Sequence, residues 1–176
     1  MSKRNLIAAL AAFVPGFALA LLLAGPAAAQ AIERISDHRD WSAFRYKEDG
    51  QVVCYMASTP KQAEGDYSQR GDVFAIVTHR PSAERIGEVS INAGYTYQAD
   101  SAVQVKIGSK SWDFFTNGTN AWASTAQEDK AIIRAMRAGS SMVVRGTSSR
   151  GTLTTDTYSL LGFSKAFGAI NKACGL

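Results

Sequence analysis

From Val103 to Trp122 polar and apolar residues alternate with a period of two, interrupted by two-residue turn sequences, and that pattern admits little besides paired antiparallel strands. Val103, Val105 and Ile107 point one way while Gln104 and Lys106 point the other. Gly108-Ser109 then suits a type II′ hairpin turn, with glycine first. The return strand puts Trp112 and Phe114 on one face and Ser111, Asp113 and Phe115 on the other, and Asn117-Gly118 signals a second hairpin into Ala121-Trp122-Ala123. Upstream, Trp41, Ala43 and Arg45 share one strand face and Ser42, Phe44 and Tyr46 the other. Glu48-Asp49-Gly50 turns the chain, and Val52 to Met56 returns it with Cys54 in the second arm. Val73 to Val77 is a continuous apolar run, predicted to be a central strand covered on both faces. Residues 30–40 are weakly patterned and read as a lead-in segment, and Ser58 to Gly71 reads as a surface loop.

After Thr125 the period changes to that of a helix. Thr125-Ala126-Gln127-Glu128 forms a capping box, Ile132, Ile133 and Met136 share a face, and Gly139 is a stop. Ser141 to Thr147 and Thr152 to Tyr158 read as a further hairpin about Ser148 to Gly151. A final helix then carries Phe163, Ala166, Phe167, Ile170 and Cys174 on one stripe. About nine short strands with two helices predict a mainly β fold, an antiparallel β-sandwich or small barrel with two covering α-helices.

Composition has to be read after the first 29 residues are set aside. Lys3 and Arg4 precede an apolar run from Leu6 to Ala24, and Ala27-Ala28-Ala29 supplies small residues at a cleavage point, so residues 1–29 are expected to be a secretory signal cut after Ala29. Six of the ten leucines leave with it, whereas 9 Val, 9 Ile and 11 Thr remain, which favours strands. Net charge falls from +4 to +2 without a cluster of Lys and Arg, which argues against a nucleic-acid partner. Nothing after residue 29 is long and apolar enough to span a membrane. Residues 41–176 therefore read as one exported domain. In an oxidising compartment Cys54 and Cys174 are read as a disulfide closing 119 intervening residues, the alternative being two buried free thiols.

Chemistry-bearing motifs are scarce. A triad drawn from His79, Asp156 and a serine lacks a nucleophile elbow, and the Cys and His spacings match no zinc pattern, so neither catalytic residues nor a metal site is expected. Isolated glycines do not make a phosphate loop, and no cofactor is expected. Glu128-Asp129 is explained by a helix first turn. Trp41, Tyr46, Tyr55, Tyr95, Tyr97, Trp112 and Trp122 lie on strands, where they serve either a core or an exposed row for glycan or protein.

One stretch is denser than a hairpin requires. Ser148 to Ala166 contains S-x-R-G-T at Ser148 to Thr152 and D-x-Y-S-L-x-G-F-S at Asp156 to Ser164, with Ala173-Cys174 trailing. It strongly resembles the end of the invasion-associated locus B family. Ile132 to Gly139 and the Trp41 with Cys54 block resemble the family too. Many members carry a further cysteine four or five residues after the opening Trp, where this chain has Arg45 and Tyr46. That departure leaves Cys174 as the intramolecular partner for Cys54.

The resemblance implies an exported protein of the periplasm or outer surface, non-enzymatic and acting by binding, linked in pathogenic members to host-cell invasion and virulence. The partner is an unnamed protein or envelope component. The alternative is an envelope-maintenance or small-ligand-binding periplasmic protein with no host role. Arg150, Thr152, Thr154 and Asp156 form a candidate partner-contact stripe along the motif's hairpin, with Asp156 also able to pair with Arg150 or cap nearby amides. An aromatic-lined cavity would favour a small ligand and a flat patch a protein.

Overall fold

Turn chemistry sets the connections. A computed structural model describes residues 31–176, so the expected signal and its cleavage point lie outside the described residues. The elements are β1 (Glu33–His38), β2 (Trp41–Glu48), β3 (Gln51–Ser58), β4 (Gln62–Gly65), β5 (Phe74–Arg80), β6 (Arg85–Asn92), β7 (Val103–Ile107), β8 (Lys110–Asn117), β9 (Asn120–Trp122), α1 (Ala126–Ala138), β10 (Ser141–Thr147), β11 (Leu153–Ser159) and α2 (Phe163–Ala173). A 3-10 turn, Pro81–Ala83, joins β5 to β6. Gly108 and Gly118 each open a two-residue hairpin loop at φ +59° with no positive φ at the residue that follows, as a type II′ turn requires.

All neighbouring strands are antiparallel, in the order β1-β2-β3-β5-β6-β9-β8-β7-β10-β11-β4, and the sheet does not close. Strand β8 serves two neighbours: Lys110 to Phe114 pair with β7, whereas Phe115 to Asn117 pair with β9. The sheet folds over there. Trp41, Met56, Val77 and Ile91 from one half and Val105, Phe114, Met142 and Tyr158 from the other belong to one continuous core. The fold is the sandwich of the two expected forms, not the barrel.

Eleven strands form where about nine were expected. Strand β1 lies in the lead-in segment and β4 in the stretch read as a loop. Both are sheet edges, hydrogen-bonded on one side only and largely exposed, so neither needs an apolar alternation for a sequence reading to detect. The run in β5 also differs from expectation. Ala75, Val77 and His79 are buried in the core, but Ile76 is only half-buried, on a face that helix α2 does not cover.

Helix α1 starts where the capping box places it. Thr125 Oγ1 accepts from Glu128 N at 3.2 Å and Glu128 Oε2 accepts from Ser124 N at 2.9 Å. The helix also completes the sheet. Strand β9 pairs with β6 only at Ser90 to Asn92, and beyond that point Asp129 Oδ1 accepts from Val89 N at 2.9 Å in place of a strand carbonyl. Burial raises the Asp129 pKa to about 6, while the Val89 N–H works to lower it.

Helix α2 lies over the inner side of the first half, with Phe163, Ala166, Phe167 and Ile170 buried. Phe163 meets Trp41 edge-to-face at 5.1 Å, and the Trp41 indole N–H donates to Ser159 O at 3.0 Å. Gly162 starts the helix at φ +93°, and a Cβ there would sit 1.8 Å from the His38 carbonyl oxygen, so only glycine permits this approach of β1. At the far end Cys174 bonds to Cys54, Cα to Cα 6.0 Å. Beside the bridge, buried His79 accepts at Nδ1 from Gly87 N (2.9 Å) and donates from Nε2 to Asn171 Oδ1 (2.8 Å), which fixes the neutral tautomer. Among the described residues no helix is long and apolar enough to cross a membrane.

Two predictions follow from how α2 and α1 are seated. Replacing both cysteines by alanine is expected to lower stability by about 2–5 kcal/mol, read from the urea midpoint. The far-UV spectrum should be retained, because the buried stripe of α2 still holds the helix. Non-reducing peptide mapping should recover Cys54 linked to Cys174, and two alkylatable thiols would contradict the bridge.

The second concerns pH. Burial lowers the His79 pKa below its ordinary 6.5. As pH falls through that value the unfolded chain takes up a proton that the folded chain refuses, and stability drops. Asp129 acts oppositely, because its raised pKa lets the folded chain keep a proton that the unfolded chain releases, a contribution lost as pH rises through about 6. Between pH 7 and 5, Asp129→Asn should therefore steepen the loss of stability on acidification and His79→Gln should reverse it. Equal slopes for the two variants would refute this assignment.

Candidate functional site

The alternation of β11 sends Thr154, Asp156 and Tyr158 inward and Leu153, Thr155 and Thr157 outward. The expected contact stripe is thereby divided. Arg150 is exposed at the hairpin tip and Thr152 is half-buried beside it, whereas Thr154 and Asp156 are each only 2% exposed and face the core, where no partner can touch them. The tip itself is built by Ser148, whose Oγ accepts from Arg150 N at 3.3 Å and Thr152 N at 3.2 Å. Leu153 stands outside, 53% exposed.

A buried carboxylate needs a partner, and for Asp156 it is Arg70, not Arg150. Arg70 Nη1 and Nη2 donate to Asp156 Oδ1 and Oδ2 at 2.7 and 2.6 Å, and Nε donates to Ala93 O at 2.7 Å. The guanidinium lies over the Tyr95 ring at 4.9 Å and the Tyr67 ring at 5.5 Å. Burial works against its charge, and the paired carboxylate overrides that, so its pKa is raised. Tyr95 OH shares a 2.7 Å hydrogen bond with Thr154 Oγ1. Two positions along the same strand, the buried Tyr158 hydroxyl has no hydrogen-bond partner among the described residues, and burial raises its pKa. This cluster joins the two halves of the sandwich. Arg70 is the residue that sequence reasoning missed, since nothing local distinguishes it from the other charges of its loop.

The histidines do not assemble a triad. Both ring nitrogens of His79 are committed to Gly87 and Asn171, and Asp156 is committed to Arg70. His38 Nε2 lies 3.0 Å from Ser36 Oγ near the sheet edge. Among the described residues no three His, Cys, Asp or Glu side chains come together as a metal site.

The outer face of the first half carries a different arrangement. A groove of about 1160 Å³ runs across β3, β5, β6 and β9, between the 3-10 turn on one side and the start of α1 on the other. Register places its residues in rows. Phe115 opposes Trp122, Trp122 opposes Ser90 and Ser90 opposes Ile76; one step along, Glu88 opposes Thr78, Thr78 opposes Tyr55 and Tyr55 opposes Phe44. Phe115 and Trp122 stack with centroids 5.7 Å apart, and Phe115 is 52% exposed. At the other end Tyr55 stacks on Phe44 at 4.9 Å and meets Tyr46 edge-on at 6.0 Å.

Between these ends Arg80 binds Glu48 at 3.2 Å and Glu88 at 3.5 Å, and Arg85 binds Glu88 at 3.4 Å. Of the aromatics considered at the outset, Trp41 fills the core with Trp112 packed half-buried against it, and Tyr46, Tyr55 and Trp122 line the groove. Tyr95 and Tyr97 lie not on strands, as expected, but in the connection between β6 and β7, where Tyr97 enters the core and Tyr95 joins the Arg70 cluster. Phe115 and the charged middle of the groove were not expected as a site.

Comparison with known proteins agrees with the architecture. The family model described as invasion associated locus B (IalB) protein matches residues 41–171. A search of curated proteins finds no match. Among solved structures, the crystal structure of invasion associated protein B from Bartonella henselae matches with a TM-score of 0.56 at 16% identity, covering 80% of this chain and 98% of that one. At that identity the likeness is one of fold.

The Arg70 and Asp156 pair makes its own prediction. Arg70→Met or Asp156→Asn alone should cost about 3–5 kcal/mol by leaving a buried charge without its counterpart. The double variant should cost less than the two single losses summed, and thermal denaturation of the three variants measures the difference. Additive losses would show that the pair acts as two independent side chains.

Proposed function

We propose, for a chain that belongs to the invasion associated locus B family, that it acts after export, in the periplasm or at the outer surface, as a binding protein without catalytic chemistry of its own. The surface it uses is the outer groove, and what it binds is a component of the cell envelope. The observation that carries this reading is the exposed Phe115 stacked on Trp122 at the mouth of a groove with ordered ion pairs along its floor. Aromatic side chains with this much area contribute most when buried, and here, among the described residues, they stand on a sheet surface with Phe115 52% exposed.

A concave, aromatic-lined site favours a ligand that enters it over a flat protein contact. The groups best suited to catalysis already hold structural partners: His79 seats α2, Asp156 holds Arg70, and Asp129, at the groove wall, accepts from the β6 backbone. A photo-crosslinking residue at position 115, installed in the exported protein of intact cells, should capture a ligand. The same residue at position 153, on the opposite outer face, should not. Equal yields at the two positions, or none at 115, would overturn this reading.

A further inference from the structure

We propose that the groove receives a chain of uncharged sugar units, an inference that rests on the groove being the binding surface. Its ends are aromatic: Phe115 with Trp122 at one, Tyr55 with Tyr46 and Phe44 at the other. A pyranose ring presents a face of polarised C–H groups that packs on the electron-rich face of such a ring, and its hydroxyls point sideways from that stack. The floor between the two platforms is polar where those hydroxyls would fall, with Thr78, Ser90, Glu88 and Arg80 in the middle and the Asn117 and Asn120 amides beside the Trp122 end. Arg80 and Glu88 are already fixed to each other at 3.5 Å, so their hydrogen-bonding groups are ordered before a ligand arrives.

Charge narrows the class. The lining holds three cations, Arg80, Arg85 and Lys130, and three carboxylates, Glu84, Glu88 and Asp129. With no surplus of either sign, the groove gives no electrostatic advantage to an anionic polymer, a nucleic acid or a strongly charged peptide. Length narrows it further. Trp122 on β9 and Tyr55 on β3 are three inter-strand steps apart, roughly 14 Å at the usual spacing of neighbouring strands. Two platforms that far apart suit an extended oligosaccharide, not a single sugar.

The test uses the exported protein with its disulfide intact. Chitotetraose, cellotetraose and maltotetraose are the uncharged probes and a heparin tetrasaccharide the anionic one, followed by saturation-transfer NMR, tryptophan emission and calorimetry. At least one uncharged probe should bind, with an affinity little changed by salt, and should be recovered at its original length. Phe115→Ala should weaken that binding tenfold or more, Phe115→Tyr should preserve it, and Leu153→Ala should leave it unchanged. Far-UV spectra confirm that each variant is folded. No binding by the three uncharged probes, preference for the anionic one, or undiminished binding by Phe115→Ala overturns the proposal. If the sugars fail while the crosslinker at position 115 captures a protein, the groove remains the binding surface and the sugar assignment alone falls. If both fail, both fall.

Discussion

Strand alternation carries Asp156 into the interior of the sandwich, and a carboxylate there is tolerated only if something restores what water supplied. Arg70 does so with two parallel hydrogen bonds, and the rest of the structure is arranged around that pairing. Because Arg70 also donates to Ala93 just after β6, a single side chain fastens the loop before β5, the end of β6 and the middle of β11. The first half of the sheet and the last hairpin are then fixed relative to each other at a point where neither shares a backbone ladder. Tyr67 and Tyr95 on the guanidinium faces keep water from competing for the pair.

With the inner faces committed to one another in one core, the outer faces are what the sandwich leaves open. The second half offers a small outer hollow around Lys106 and Arg145, whereas the first offers the long aromatic groove. That groove follows from a shortage of strand. Strand β9 is three residues long, and α1 takes over the exposed edge of β6 through Asp129, which brings the beginning of the helix up beside the sheet as a wall. A longer β9 would have covered Val89 with a carbonyl and moved α1 away. The concavity is therefore a product of the same contact that satisfies the β6 backbone.

Features decided by neighbours in sequence were legible from sequence. The type II′ turn at Gly108, the hairpin signalled by Asn117-Gly118, the capping box at Thr125 and the apolar stripe of α2 each depend on residues within a few positions of one another. The pairing of Cys54 with Cys174 followed from compartment and count, and not from any local signal. What escaped was decided at long range or by the absence of burial. Arg70 and Asp156 are 86 positions apart, and the edge strands β1 and β4 carry no apolar pattern because one side of each meets solvent. The motif around Arg150 was read as a surface stripe because Thr and Asp usually face water. Here the packing partner across the core inverted that rule. The groove was hidden for a related reason: an aromatic on a strand has the same spacing whether its face is a core or a site.

Parity along the strands explains how such a fold can be kept while its surface changes. On β6 Val89 and Ile91 enter the core while Glu88 and Ser90 face the groove, and on β5 Val77 and His79 enter the core while Ile76 and Thr78 face out. Packing restrains one set of alternate positions and leaves the other to solvent, with little coupling between them because they lie on opposite sides of one sheet. A match in fold at 16% identity is what such a division allows. In this chain the outward set along the groove is Tyr46, Tyr55, Thr78, Ser90, Phe115 and Trp122, arranged as aromatic ends about a polar middle.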